Sequence, residues 1–334
     1  MKNKEHPIRF DNSIYNGYKV LITGGLGFLG SNIAHYLVKL GARVTLLDAL
    51  LPNNGGNPRN ISGIEDKVEV VIDDIRNKDV INTLVVDKDI IFNLAGQVSY
   101  IDSMNDPFLD MDISCRGHIN ILEACRLYNQ KVRIMFASSR MVYARGLTNP
   151  VSETAATEPL SIYGIHKLAG EKYHKLYYEA YDISTVCLRI TNPYGPRQRV
   201  EGGKYGIVNW FLRLAMKGET LRVFGDGKQL RDYIYIDDLV EIFLRLGITP
   251  GVSGKVYNAG SGKGTAFKEM VQGVIECANG GKIENVDWPQ NYSRLETGNF
   301  IADTAEFCNV AGKIPLHPLS EGLMKTIAFY REEY

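Results

Sequence analysis

Three glycines at three-residue intervals constrain this chain more than any other feature. They sit directly after a short β-rich run and at the mouth of an apolar-periodic helix. The run YKVLIT (18–23) leads into TGGLGFLGSN, which places Gly24, Gly27 and Gly30 ahead of a helical pattern over 27–40. Glycine permits the tight turn, lets backbone N–H groups approach a pyrophosphate, and lets strand and helix pack closely. The helix N-terminus adds its partial positive charge. A second run, ARVTLLD (42–48), ends in Asp48, 18 residues beyond Gly30. A carboxylate there accepts hydrogen bonds from ribose hydroxyls, and a 2′-phosphate would meet its negative charge. The pattern therefore favours NAD over NADP. Asp74, at the end of the third run KVEVVID (67–73), is positioned to reach the adenine region.

Further runs continue at the same cadence. DIIFNLA (89–95), VRIMFAS (132–138) and ISTVCLRI (183–190) read as strands, with helical patterns over 109–129 and 162–181. Strands alternating with helices at this spacing predict an α/β domain, a parallel sheet with helices on both faces. Right-handed crossovers make it doubly wound, the Rossmann arrangement. Beyond 190, Gly, Pro and Arg cluster in 191–206 and the elements shorten. This predicts a smaller, mixed α/β substrate-binding lobe from 193–232 plus 261–334, beside a dinucleotide-binding domain from 18–192 plus 233–260. Residues 1–17 read as a polar extension laid on the surface and dispensable for that core. The turn-forming 49–63 stretch is expected to lie over the cofactor edge.

Composition narrows the partners. Thirty-eight basic residues balance 38 acidic ones, so nothing electrostatic calls for nucleic acid or an anionic membrane. No apolar run approaches the roughly 18 residues of a membrane helix, and the first 17 residues lack the apolar core of a signal peptide. Five scattered cysteines without a CxxC pair predict reduced thiols in a cytoplasmic protein. The six histidines show no ligand spacing, so no metal is implied.

The chemistry-bearing residues lie around the fifth strand. SIYGIHKLAGEKY puts Tyr163 and Lys167 one turn apart on one helix face. An ammonium beside a phenol is expected to lower the tyrosine pKa from near 10, giving a general base or acid near neutrality. Tyr15 and Lys19 share the spacing but enter the first strand, and no role is assigned to them. Ser139 stands at the C-terminal end of the fifth strand, where open α/β sheets bind ligands. There it can hydrogen-bond the hydroxyl that Tyr163 deprotonates. Its neighbour Ser138 reads as structural or a minor contact.

With these residues in place, the chain resembles an extended short-chain dehydrogenase/reductase of the nucleotide-sugar epimerase/dehydratase family, over about residues 18 to 332. The stretches that carry the resemblance are LITGGLGFLGSNIAHYLV, NLAGQVS, FASSRMVYA, YGIHK, LRITNPYGPRQ, GDGKQLRDYIYIDDLVE and YNAGSGKG. It implies that Ser139, Tyr163 and Lys167 are catalytic, Lys167 also touching the nicotinamide ribose. It implies NAD contacts from Gly24, Gly27, Phe28, Leu29, Gly30, Asp48, Asp74, Ile75, Leu94 and Ala95. It places Asn192 at the substrate, Arg231 on the diphosphate, and Arg294 as a second, more loosely aligned arginine. It also implies a homodimer through the helices at 109–129 and 162–181. Ile113, Ile121, Leu122, Leu127, Leu168, Tyr173 and Leu176 are the apolar positions for that contact.

The two residues after Ser139 separate the reactions. Relatives that eliminate water carry an acidic pair there, and decarboxylases a glutamate at the second position. Here the residues are Arg140 and Met141, and neither can do that acid–base work. The remaining chemistry is hydride transfer with the Ser/Tyr/Lys set, which fits C4 epimerisation of a nucleotide-diphosphate hexose. Arg140 replaces the small residue of common UDP-glucose 4-epimerases. It either salt-bridges within the protein or recognises an anionic or modified sugar. The wording LAGQV is shared with CDP-sugar 2-epimerases, so a 2-epimerase stays open. So do a dehydratase or decarboxylase using another acid, and a ketosugar reductase that consumes cofactor. An NAD-binding protein without catalysis would typically lose the Tyr–Lys pair.

Overall fold

The computed structural model describes residues 13–52, 54–201, 206–289 and 294–333. In chain order the first half comprises β1 (Lys19–Thr23), α1 (Phe28–Lys39), β2 (Arg43–Asp48), β3 (Val68–Ile72), α2 (Lys78–Leu84), β4 (Ile90–Asn93), α3 (Tyr100–Asn105), α4 (Pro107–Met111), α5 (His118–Tyr128) and β5 (Arg133–Ser139). It continues with α6 (Ile162–Tyr181), β6 (Ser184–Ile190), β7 (Asn192–Tyr194), α7 (Ile207–Met216), β8 (Thr220–Phe224), β9 (Leu230–Tyr235), α8 (Ile236–Ile248), β10 (Lys255–Ala259), β11 (Gly264–Ala266), α9 (Phe267–Ala278) and β12 (Lys282–Val286). Helices Ala305–Ala311 and Leu319–Glu333 complete it.

Seven strands form one parallel sheet in the order β10-β6-β5-β4-β1-β2-β3. The chain starts in the middle, winds outward to β3, then returns to build the other half from β4. Its strands are apolar on both faces, as a sheet covered by helices on both sides requires. Val20, Leu21, Ile22, Ile91, Phe92, Ile134 and Phe136 are all buried. Between β1 and β4, where the winding reverses, the strand ends are fastened by one side chain. Thr23 Oγ1 donates to Asn93 Oδ1 at 3.2 Å and accepts from the amides of Leu94 and Ala95 at 3.1 and 3.2 Å. The remaining strands form a mixed sheet, β11-β9-β7, and a parallel pair, β12-β8.

Three expectations change. Residues 13–17 are no surface arm, because Tyr15 is fully buried and donates its hydroxyl to the Leu244 carbonyl; residues 1–12 lie outside the described residues. The single helix expected over 109–129 is α4, a π turn over Asp112–Gly117, and α5. The wider turn rotates the apolar stripe, so Ile113, Ile121 and Leu122 all pack in the chain's own core. They are thus withdrawn from the intersubunit contact expected of them. Leu168 and Tyr173 are half-buried against that same chain, whereas Leu127 and Leu176 stay exposed. The described residues contain no helix long and apolar enough to cross a membrane.

Candidate active site

A cleft of about 1090 Å³ runs along the carboxyl ends of the central strands and out over β9 and the segment around residue 288. At its sheet end, α1 points its N-terminus into the cleft. Gly24 adopts φ +68°, and a Cβ on Gly30 would fall 2.3 Å from the Gly24 carbonyl oxygen. Glycine is therefore obligatory for this approach of helix to strand. The first turn of α1 carries no acidic residue and no side-chain cap, so its amides remain available to an anion.

Asp48, at the end of β2, accepts from the amides of Leu26 at 3.0 Å and Leu50 at 2.9 Å. Burial raises its pKa, and these two bonds work against the rise. Each carboxylate oxygen keeps a lone pair for a ribose hydroxyl. Leu51, Asn54, Gly55 and Gly56 of the 49–63 stretch line this end of the cleft, as do Phe28, Leu29, Ile75, Leu94 and Ala95. Asp74 lines it too, but its carboxylate grips the Arg76 guanidinium at 2.7 and 2.9 Å. Burial pushes its pKa up, the Arg76 hydrogen bonds outweigh that, and the net shift is downward. The bare acid expected near adenine is thus one half of an ion pair. The open helix N-terminus, the glycine turn and the acid at the β2 end fit a dinucleotide.

Ser139 is the last residue of β5, and Tyr163 and Lys167 lie on the first turns of α6. Ser161 caps that helix, its Oγ accepting from the Gly164 amide at 3.2 Å. The Tyr163 amide donates to Ser103 Oγ at 3.0 Å. Ser139, Tyr163 and Lys167 all line this part of the cleft, and Ser139 is near enough to the Tyr163 phenol to lower its pKa. The electrostatics differ from expectation. Burial pushes the Tyr163 pKa up to about 12, with Ser139 and Arg140 opposing and Asp110 adding to the rise. Lys167 does not lower it, because its Nζ donates to the Ala137 carbonyl at 2.8 Å and lies 5.8 Å from the Tyr163 ring centroid. Burial brings Lys167 itself down to about 8, against the pull of Asp110 and Glu171.

Ser138 is structural: its Oγ donates to Glu171 at 2.5 Å, and Glu171 holds Arg189 through bonds of 2.9 and 2.8 Å. Asp110, fully buried beneath α6, takes the His166 ring at 2.5 Å.

Farther along the cleft, Asn192 accepts from Arg140 Nε and donates to the Asp232 carbonyl. Arg140 lines the cleft but makes no salt bridge among the described residues; its Nη1 donates to Thr297 at 2.9 Å. Burial and the nearby Arg231 lower its pKa to about 10, against the opposing pull of Glu296. Arg231 pairs with Glu296 at 2.5 Å and donates to the carbonyls of Leu230 and Gly298. Arg294 is exposed, and its carbonyl accepts from Arg145. The structure does not bring it into the cleft.

Sequence reasoning missed Tyr233, Glu296, Thr297, Trp288 and Trp210, which all line the cleft. Tyr233 had a signal, since it stands two residues after Arg231 on one strand and shares its face. Trp288, Glu296 and Thr297 come from irregular chain, where no periodicity marks a face.

The chain is also similar to known proteins. Residues 20–260 match the NAD dependent epimerase/dehydratase family. A UDP-glucose 4-epimerase of Mycolicibacterium smegmatis is 33% identical over 94% of this chain and 99% of its own length. A CDP-paratose 2-epimerase of Salmonella typhi is 31% identical over 72% of this chain and 78% of its own. The crystal structure of a Thermotoga maritima UDP-glucose 4-epimerase with UDP-glucose superposes with a TM-score of 0.86 at 27% identity, covering 94% and 99% of the two chains.

Proposed function

Because the chain belongs to the NAD-dependent epimerase/dehydratase family, we propose that it epimerises a nucleotide-diphosphate hexose at C4 through a transient 4-keto sugar. One observation carries the choice of reaction. Around Ser139 and Tyr163 the described carboxylates are engaged or sealed off: Arg140 and Met141 follow Ser139, Glu296 is held by Arg231, and Asp110 is fully buried against His166. Dehydration and decarboxylation by family members need such an acid; epimerisation needs only a proton relay and a hydride carrier.

NAD is the family's cofactor, and when bound it supplies reversible hydride acceptance from the sugar carbon. Gly24, Gly27, Gly30 and the first amides of α1 would hold its diphosphate, with Asp48 on the ribose and Lys167 beside the nicotinamide ribose. Tyr163 takes the proton from O4 and later returns it, while Ser139 fixes that hydroxyl by hydrogen bonding. A phenol near 12 is a poor base. Proton removal therefore depends on Ser139 and Arg140 at the phenol, with Lys167 adding its charge beside the nicotinamide ribose. Arg231 is assigned to the substrate diphosphate and Asn192 to the sugar, within a lobe drawn from 193–232 and 261–334. The homodimer is also proposed, now through the exposed apolar residues Phe108, Met111, Leu127, Ile165 and Leu176.

The test is product analysis by mass and proton NMR after incubation with UDP-, CDP-, GDP- and dTDP-sugars and no added cofactor. An isomer of unchanged mass inverted at C4 is expected. Inversion at C2, or a product lighter by water or carbon dioxide, would refute the proposal.

A further inference from the structure

Two guanidiniums converge in the inner part of the cleft, and among the described residues only one is in direct contact with a carboxylate. Arg231 is balanced by Glu296. Arg140 has only neutral acceptors: the Asn192 amide oxygen at a long 3.4 Å from Nε, and the Thr297 hydroxyl at 2.9 Å from Nη1. No described residue accepts from its Nη2. Glu296 acts on Arg140 only at a distance: its Oε1 takes Arg231 and the Gly298 amide, and no described salt bridge joins it to Arg140. Tyr233 lines the same cleft, is 7% exposed, and its hydroxyl has no hydrogen-bond partner among the described residues. Both arginines act on that phenol electrostatically. A partly buried cation held by neutral groups, next to an unmatched O–H donor, is costly unless a ligand brings the anion.

The chain position indicates which part of a ligand this would be. Arg140 directly follows Ser139, and its charge is felt at the Tyr163 phenol. It therefore stands at the reacting ring. The geometry points to an anion subsite, made by the Arg140 guanidinium and the Tyr233 hydroxyl, that selects a nucleotide sugar whose ring carries a carboxylate. This rests on the nucleotide-sugar reading above and narrows it to nucleotide hexuronates. A neutral hydroxymethyl group in the same place would leave the cation uncompensated.

The experiment is titration calorimetry of the NAD-loaded protein with two matched pairs, UDP-glucuronate against UDP-glucose and GDP-mannuronate against GDP-mannose. Wild type is expected to bind the uronate of one pair about 10-fold or more tighter than its neutral partner. Arg140→Ala should weaken the uronate about 10-fold more than the neutral sugar, Arg140→Lys should keep part of the preference, and Tyr233→Phe should lose a few-fold. Where Arg140→Ala fails to fold, Arg140→Lys and Tyr233→Phe carry the test. No uronate preference in wild type, no binding of any of the four, or equal losses for both sugars on substitution would overturn the subsite. Product analysis on the same samples keeps the two readings apart. Tight uronate binding without a C4 epimer refutes the epimerase and leaves the subsite standing. Epimerisation of a neutral sugar without uronate preference does the reverse.

Discussion

Replacing Glu171 with alanine removes the carboxylate that holds the Arg189 guanidinium. The two side chains are 3% and 6% exposed, they meet through two hydrogen bonds of 2.8 and 2.9 Å, and Ser138 closes the network from β5. Deleting one partner strands a buried cation, which costs about 3–5 kcal/mol. For 334 residues at roughly 2.1 cal/mol/K of unfolding entropy per residue, the total is about 0.7 kcal/mol/K, so Tm should fall by about 4–7 °C. Calorimetric melts of wild type, Glu171→Ala, Arg189→Met and Glu171→Ala combined with Arg189→Met measure it. The charge argument requires the double variant to lose less than the sum of the singles, since no ion is then left unpaired. Additive losses, or a single-variant loss below about 1 kcal/mol, would show that packing rather than charge pairing holds this site.

Gly30→Ala drives a methyl group into the Gly24 carbonyl; it should cost about 1–3 kcal/mol and empty the protein of NAD on desalting, read by melting and by cofactor content. Tyr163→Phe should reduce turnover by about 10²- to 10⁴-fold while bound NAD is retained, and a loss under tenfold would remove the phenol from the chemistry. Burial puts the Lys167 pKa at about 8, below the lysine norm, so its charge is present at lower pH and lost as pH rises through that value. kcat/KM should decline on the alkaline side from around pH 8, and a flat profile to pH 10 would contradict it. Phe108→Arg with Leu176→Arg should convert a sedimenting dimer to monomer, whereas a wild-type monomer at micromolar concentration would refute the assembly itself.

The sheet was legible because its strands are continuous apolar runs punctuated by glycines, and because crossover geometry leaves few ways to wind them. The phosphate turn and the convergence of Ser139, Tyr163 and Lys167 stem from strand-end position, a topological property that sequence carries well. Magnitudes of charge were not legible. That Lys167 would direct its proton to the Ala137 carbonyl, or that Arg76 would occupy Asp74, depends on distances no spacing rule encodes. Tyr15 was misjudged for a related reason: a lone aromatic in a polar stretch carries no periodicity, and its burial is decided by a carbonyl 229 residues away. Arg294 stands exposed in irregular chain, where no periodicity marks which side chains face the cleft.

The Thr23 hydroxyl at the reversal of the sheet has a consequence for how the enzyme handles its cofactor. It bonds the start of the β4 exit through two consecutive amides and ties β1 to Asn93 at the same point. The groove between the strands is therefore set by the protein's own bonds and not by whatever enters it. A guest meeting a wall already in its final shape loses little free energy to reorganisation, and its departure relaxes nothing that would help expel it. Such a socket favours long residence over rapid exchange. That is what the proposed epimerisation requires, since the hydride lent in one half-reaction has to come back in the next.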